Sequence, residues 1–153
     1  MIIGIDLGGS HIAIGVIDDK GYIVEKIEKR LLYKDKKNIK ETIENYIIKN
    51  TNELMSKYKI KEIGIAVPGT IKDGIILKSV NLGVSDYNII DNLKKGINLP
   101  IKIRNDAKCA AIAENKIGAL KDYSRSIFLT LGTGIGGAVI INNKLLDTGE
   151  LPG

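Results

Sequence analysis

Two stretches of this chain match each other, and the match limits what it can fold into. Ile5-Asp6-Leu7-Gly8-Gly9-Ser10-His11-Ile12-Ala13-Ile14-Gly15-Val16-Ile17 and Leu129-Thr130-Leu131-Gly132-Thr133-Gly134-Ile135-Gly136-Gly137-Ala138-Val139-Ile140-Ile141 each pass from an apolar run through a glycine-rich bend into a second apolar run. The likeness continues into the next turn, where Asp18-Asp19-Lys20 corresponds to Asn142-Asn143-Lys144. Each copy reads as strand, turn, strand. Glycines at such a bend let backbone N–H groups converge with no Cβ in the way, which makes a concavity suited to an anionic phosphate. Gly-Gly and Gly-Thr-Gly are also ordinary hairpin chemistry. The repetition, with Asp6 at the mouth of the first bend, points further, to a nucleotide held between duplicated lobes.

Between the copies the period changes. Ile2 to Leu7, His11 to Ile17 and Tyr22 to Arg30 read as three strands, the third alternating apolar and charged residues, with Asp18-Asp19-Lys20-Gly21 as the turn before it. They should form an antiparallel meander. From about Asn38 to Tyr58 apolar residues recur at three and four, which predicts an amphipathic helix. Ile63 to Val67 is a strand ended by Pro68-Gly69, and Thr70 to Lys72 with Ile75 to Lys78 form a hairpin about Asp73-Gly74. Asn81 to Asn88 has no period and reads as a loop. Ile89 to Lys95 is a short helix, Ile101 to Arg104 a strand, and Asn105-Asp106 opens a helix from Ala107 to about Ile117. The expected architecture is α/β, with a mixed sheet covered by helices.

Composition narrows the function classes. With 153 residues, 44% hydrophobic and 27% charged, the chain is long enough to bury a core and has the balance of a soluble globular protein. It has neither a secretory leader nor an apolar run near the roughly 18 residues of a membrane span. The expected location is therefore the cytoplasm, with no membrane partner. One cysteine, Cys109, and one histidine, His11, cannot assemble a structural zinc site. The net charge of +5 comes from dispersed lysines with few aromatics to stack bases, which argues against nucleic acid.

Ile3-Gly4-Ile5-Asp6-Leu7-Gly8-Gly9-Ser10, Ile65-Ala66-Val67-Pro68-Gly69, Asn105-Asp106-Ala107 and Leu131-Gly132-Thr133-Gly134-Ile135-Gly136-Gly137, in this order, resemble the ROK family of sugar kinases and repressors. The resemblance implies a ribonuclease-H-like lobe of the actin-like ATPase superfamily. It implies ATP as co-substrate, a hexose as acceptor, Mg2+ as the ion, and it allows a homodimer. Asp6, Gly8, Gly9 and Ser10 would approach the ATP phosphates, with Asp6 positioning Mg2+ through water, and Gly132, Thr133 and Gly134 would meet the phosphates from the opposite side. Gly69, Asn81, Asn105 and Asp106 would contact the sugar. Asp106 would be the base that takes the proton from the attacking hydroxyl; the competing reading makes it only the N-cap of the next helix.

Some positions depart from the family pattern. Ser10 replaces a threonine and His11 stands where a lysine is common; His11 reads as a strand residue and Cys109 as a buried small residue. The family shows an aromatic residue a few positions after Asn81, and Tyr87 is the nearest candidate. The family also continues with a Gly-Glu-x-Gly-His segment and usually a cysteine-rich zinc site, whereas this sequence runs to Gly149-Glu150-Leu151-Pro152-Gly153. The expectation is thus a lobe over residues 1–120 and the opening hairpin of a second lobe over 121–153, with no zinc. The parent activity implied is glucokinase-like phosphorylation; the alternative is a non-catalytic sugar sensor. The repressor branch should carry a helix-turn-helix ahead of its first strand, and Met1-Ile2-Ile3 leaves no room for one here.

Overall fold

The computed structural model describes residues 1–131 and 135–146. Strands β1 (Ile2–Leu7), β2 (His11–Ile17) and β3 (Ile23–Arg30) pair as the expected antiparallel meander. A 3-10 turn at Tyr33–Asn38 leads into α1 (Ile39–Lys57), followed by β4 (Ile63–Val67), β5 (Thr70–Lys72), β6 (Ile75–Ser79) and β7 (Val84–Tyr87). Then come α2 (Ile89–Leu93), β8 (Ile101–Asn105) and α3 (Asp106–Ile117), and the chain closes with β9 (Arg125–Leu131), β10 (Ile135–Ile141) and β11 (Lys144–Leu145).

The main sheet has the order β3-β2-β1-β4-β8, with β4 and β8 parallel to β1. Its strands alternate strictly, so one face carries Ile3, Ile5, Leu7, Ile12, Ile14 and Val16, all buried. Helix α1 covers that face with Ile39, Ile43, Ile47 and Leu54, spaced to form one stripe. Each such side chain contributes roughly 1.5–3 kcal/mol when fully buried, so this interface is the main source of stability. The other face is built from Gly4, Gly15, Gly64, Ala13 and Ala66 and stays largely open, bordered at the β4–β8 side by α3.

Two local readings are corrected. The stretch expected to be a loop holds β7, paired with β6; left-handed Gly83 (φ 70°) and Asp86 (φ 47°) interrupt the run and hide its period. Helix α2 ends at Leu93, with turns continuing through Gly96. The hairpin about Asp73-Gly74 is present, with both residues left-handed (φ 49° and 82°) as a tight two-residue connection requires.

The strands of the second glycine stretch form a separate three-stranded sheet in the order β11-β10-β9. Its inner face, Phe128, Ala138, Ile140 and Leu145, packs on Ala111 of α3. The register refines the internal likeness. Ile3 pairs with Val16 and Leu7 with Ile12, while Ile127 pairs with Val139 and Leu131 with Ile135. The structural equivalent of Ile12 is therefore Ile135, one position earlier than the sequence match with Gly136 suggests. Among the described residues, no helix is long and apolar enough to cross a membrane.

Candidate active site at the carboxyl edge of the sheet

Three parallel strands end together. Asp6 lies beside Ala66 and Ala66 beside Arg104, so Leu7, Val67 and Asn105 finish at one edge of the sheet. The Gly8–Ser10 bend, Pro68-Gly69 and Asn105-Asp106 leave the sheet there. The carboxyl ends of parallel strands are where open α/β sheets bind their ligands. The fold thus brings Asp6, Gly8, Gly9, Ser10, Gly69, Asn105 and Asp106 to a common edge.

Asn81 joins them through a backbone contact. A Cβ at Gly9 would lie 2.5 Å from the Asn81 carbonyl oxygen, so only glycine lets the Gly8–Ser10 bend and the β6–β7 loop touch. Gly69 is left-handed (φ 114°), and its Cβ position is filled by the Lys78 carbonyl, which seats the Pro68-Gly69 turn on β6. Asn105 holds the edge together: its Nδ2 donates to the Gly69 carbonyl (3.2 Å) and its Oδ1 accepts from the Lys108 amide (3.1 Å). Asn105, not Asp106, is therefore the N-cap of α3. Asp106 is the first helical residue, half-buried, and its Oδ1 accepts from the Ala107 amide (2.8 Å). The Gly8 amide donates to the His11 carbonyl (2.9 Å), which closes the bend.

Sequence reasoning missed the partner of Asp6. His11 opens β2, and its Nε2 lies 3.0 Å from Asp6 Oδ2, with the ring beside Gly8. The signal was available: Asp6 and His11 both alternate onto the open face, and the three-residue Gly8–Ser10 bend makes them diagonal neighbours across the hairpin. Further along the row, Ala13 separates Asp6 from Glu28, whose carboxyl is held low by its hydrogen bond and ion pair with Lys26 (2.9 Å). Cys109 lies one helical turn beyond Asp106. Burial pushes its thiol up, Arg104 opposes this, and the Asp106 and Asp6 carboxylates add to the rise, which places both carboxylates within electrostatic reach of one side chain. Tyr87 is not available to a ligand: it is buried, and its hydroxyl donates to Glu44 of α1 (2.8 Å).

A trough of about 1120 Å³ runs along the open face, lined by Asp6, His11, Ala13, Ala66, Arg104 and Cys109 among others. It meets the expected site only at Asp6. Gly132, Thr133 and Gly134 lie outside the described residues. Among the described residues no group of three or more His, Cys, Asp or Glu side chains could hold a metal ion.

Comparison with known proteins places the chain in a family. A family model described as ROK matches residues 2–150. The chain belongs to the ROK family. It is 31% identical over 151 residues to the glucokinase of Halalkalibacterium halodurans, covering 94% of this chain and 45% of that one. It is 32% identical over 145 residues to the xylose repressor of Bacillus subtilis, covering 94% of this chain and 38% of the repressor. The structure of a ROK glucokinase from Streptomyces griseus, in complex with glucose and AMPPNP, matches with a TM-score of 0.81 at 30% identity, over 94% of this chain and 45% of that chain. The ROK chain described here thus spans about half the length of the curated relatives it matches, and its fold is that of the actin-like ATPase lobe of the ROK sugar kinases.

Proposed function

We propose that these residues form the sugar- and phosphate-binding lobe of an ATP-dependent hexose kinase, with Asp106 as the general base. The observation that carries this reading is the common edge at which Asp6, Gly9, Gly69, Asn105 and Asp106 meet, in a chain similar to glucokinases. The sugar hydroxyl oxygen forms a bond to the γ-phosphorus as the bond to the ADP oxygen breaks, and the hydroxyl proton passes to Asp106 Oδ2. Oδ1 is already engaged by the Ala107 amide, which fixes the carboxylate plane. Such transfer needs alignment and charge neutralisation more than covalent help. Gly9 and Ser10 supply amides to the phosphates. Asn105 acts chiefly by holding Gly69 against α3, so that the turn and the base keep their spacing.

The residues fit a magnesium ion of one kind. Asp6 is a single exposed carboxylate with no cage of acidic neighbours, which suits a largely hydrated ion that takes its remaining ligands from phosphate oxygens. Bound there, the ion would neutralise phosphate charge, while His11 steadies one oxygen of Asp6.

A second reading, a sugar-sensing regulator, is favoured by the similarity to the xylose repressor. The two separate in a coupled assay with ATP and glucose, fructose or N-acetylmannosamine. The 153 residues alone should show negligible turnover, while a two-lobed protein carrying them should turn over at roughly 1–1000 per second. Sugar binding by the two-lobed protein with no phosphorylation supports the regulator and rejects the kinase.

A further inference from the structure

The edge where β1, β4 and β8 end carries two carboxylates, Asp6 and Asp106, and a phosphate donor brings several more negative charges to it. None of Asp6, Gly8, Gly9, Ser10, Asn105 and Asp106 carries a positive one. Strand β3 delivers one to the same edge. Arg30, its last residue, pairs in register with His11, the first residue of β2. Along β2 the buried Ile12, Ile14 and Val16 face α1, so His11 alternates onto the open face and Arg30 with it. One step outward, the Leu31 amide donates to the carbonyl of Ser10 (2.8 Å), within the glycine bend itself. That bond makes Arg30–His11 a non-hydrogen-bonded pair, the kind in which side chains stand closest, with Cβ atoms about 4.5–5.5 Å apart. His11 in turn meets Asp6 Oδ2 (3.0 Å). Carboxylate, imidazole and guanidinium residues thus follow one another across β1, β2 and β3 at the mouth of the bend.

Arg30 has no ion-pair partner among the described residues. Glu28, two positions back on the same face, is taken by Lys26 (2.9 Å), and Asp35 is taken by Lys29 (3.3 Å), which lies over the Tyr46 ring on the α1 side. The backbone after Arg30 is fixed twice, by the Leu31 bond to Ser10 and by Asp35 Oδ2, which accepts from the Leu32 amide (2.8 Å). The exposed Lys34, Lys36 and Lys37 follow and raise the positive potential at this end of the sheet. We propose that Arg30 is a further phosphate-binding residue, whose guanidinium neutralises the terminal phosphates of the donor at the Gly8–Ser10 bend. Two strand spacings, about 10 Å, separate the β1 and β3 backbones, so a phosphate chain beside Asp6 comes within reach of a long side chain on β3. The planar fork of arginine matches phosphate oxygens better than an ammonium does, and its charge is permanent. The inference rests on the phosphate role proposed above for the bend.

The chain has one histidine, His11, so its imidazole proton resonances report on this bend alone. The test is a titration of the 153-residue chain, at constant pH and ionic strength, with magnesium tripolyphosphate, the phosphate chain of ATP without its nucleoside. The expected result is a saturable shift of the His11 resonances. Arg30→Gln should weaken that binding at least about tenfold, the size of one charge-assisted contact. Arg30→Lys, which keeps the charge and loses the fork, should fall between. Arg125→Gln, the same change in net charge but on the second sheet, should bind like the parent. Far-UV circular dichroism of each variant confirms the fold. A His11 shift with equal affinity in Arg30→Gln overturns the role of Arg30 and leaves the phosphate reading of the bend standing. The absence of any saturable shift overturns both. Equal weakening by Arg125→Gln traces the effect to net charge and also overturns the proposal.

Discussion

Asp6 and His11 face each other across the Gly8–Ser10 bend, which its own backbone closes. Gly9 is the tightest point. An added methyl would meet the Asn81 carbonyl, a backbone atom that cannot rotate away. Gly9→Ala should therefore cost about 1–3 kcal/mol, as overpacking does, and lower the denaturation midpoint of the chain. Cys109 gives a pH-dependent check on the same region. Its thiol is raised mainly by burial, and the reactive form is the thiolate. Alkylation followed by mass spectrometry should be slow at pH 7 and accelerate only above the usual thiol value of about 8.5. A rate at pH 7 equal to that of an unstructured cysteine would mean that Cys109 is neither buried nor near the two carboxylates.

Elements explain which features could be read from the order of residues. The meander, α1 and α3 are plain in the sequence because alternation and the three-four stripe persist over whole segments. Strand β7 is not, since Gly83 and Asp86 place left-handed residues beside and inside a four-residue run. The edge formed by β1, β4 and β8 is a product of parallel register, which no local pattern encodes; the family motifs marked its residues without giving their arrangement. Asp106 could be read as a cap or as a base, and the helix settles the cap on Asn105. Asn105→Ala removes both the cap and the link to Gly69, and should cost about 1–2 kcal/mol in urea unfolding. A change below a few tenths of a kcal/mol would show that neither hydrogen bond contributes to the edge. Asn105→Asp, which keeps the cap but cannot donate to Gly69, should fall between.

Taken whole, the described residues form a five-stranded sheet packed on α1 and a three-stranded sheet whose inner face packs on α3. The internal likeness was legible from the sequence, but its consequence was not, because which face of each hairpin is covered depends on where α1 and α3 pack. On the proposed reading this lobe would supply the base and one set of phosphate amides, and the reaction would belong to a protein in which a second lobe closes over the nucleotide. The proposed reaction turns on Asp106. The most direct measurement is kcat for hexose phosphorylation by a two-lobed protein carrying these residues, compared with Asp106→Asn, with melting curves to confirm an intact fold. Loss of the proton acceptor should lower kcat by about 10²–10⁴ with sugar KM nearly unchanged, the size expected of a general base. An Asp106→Asn protein with near-normal kcat would contradict the assignment.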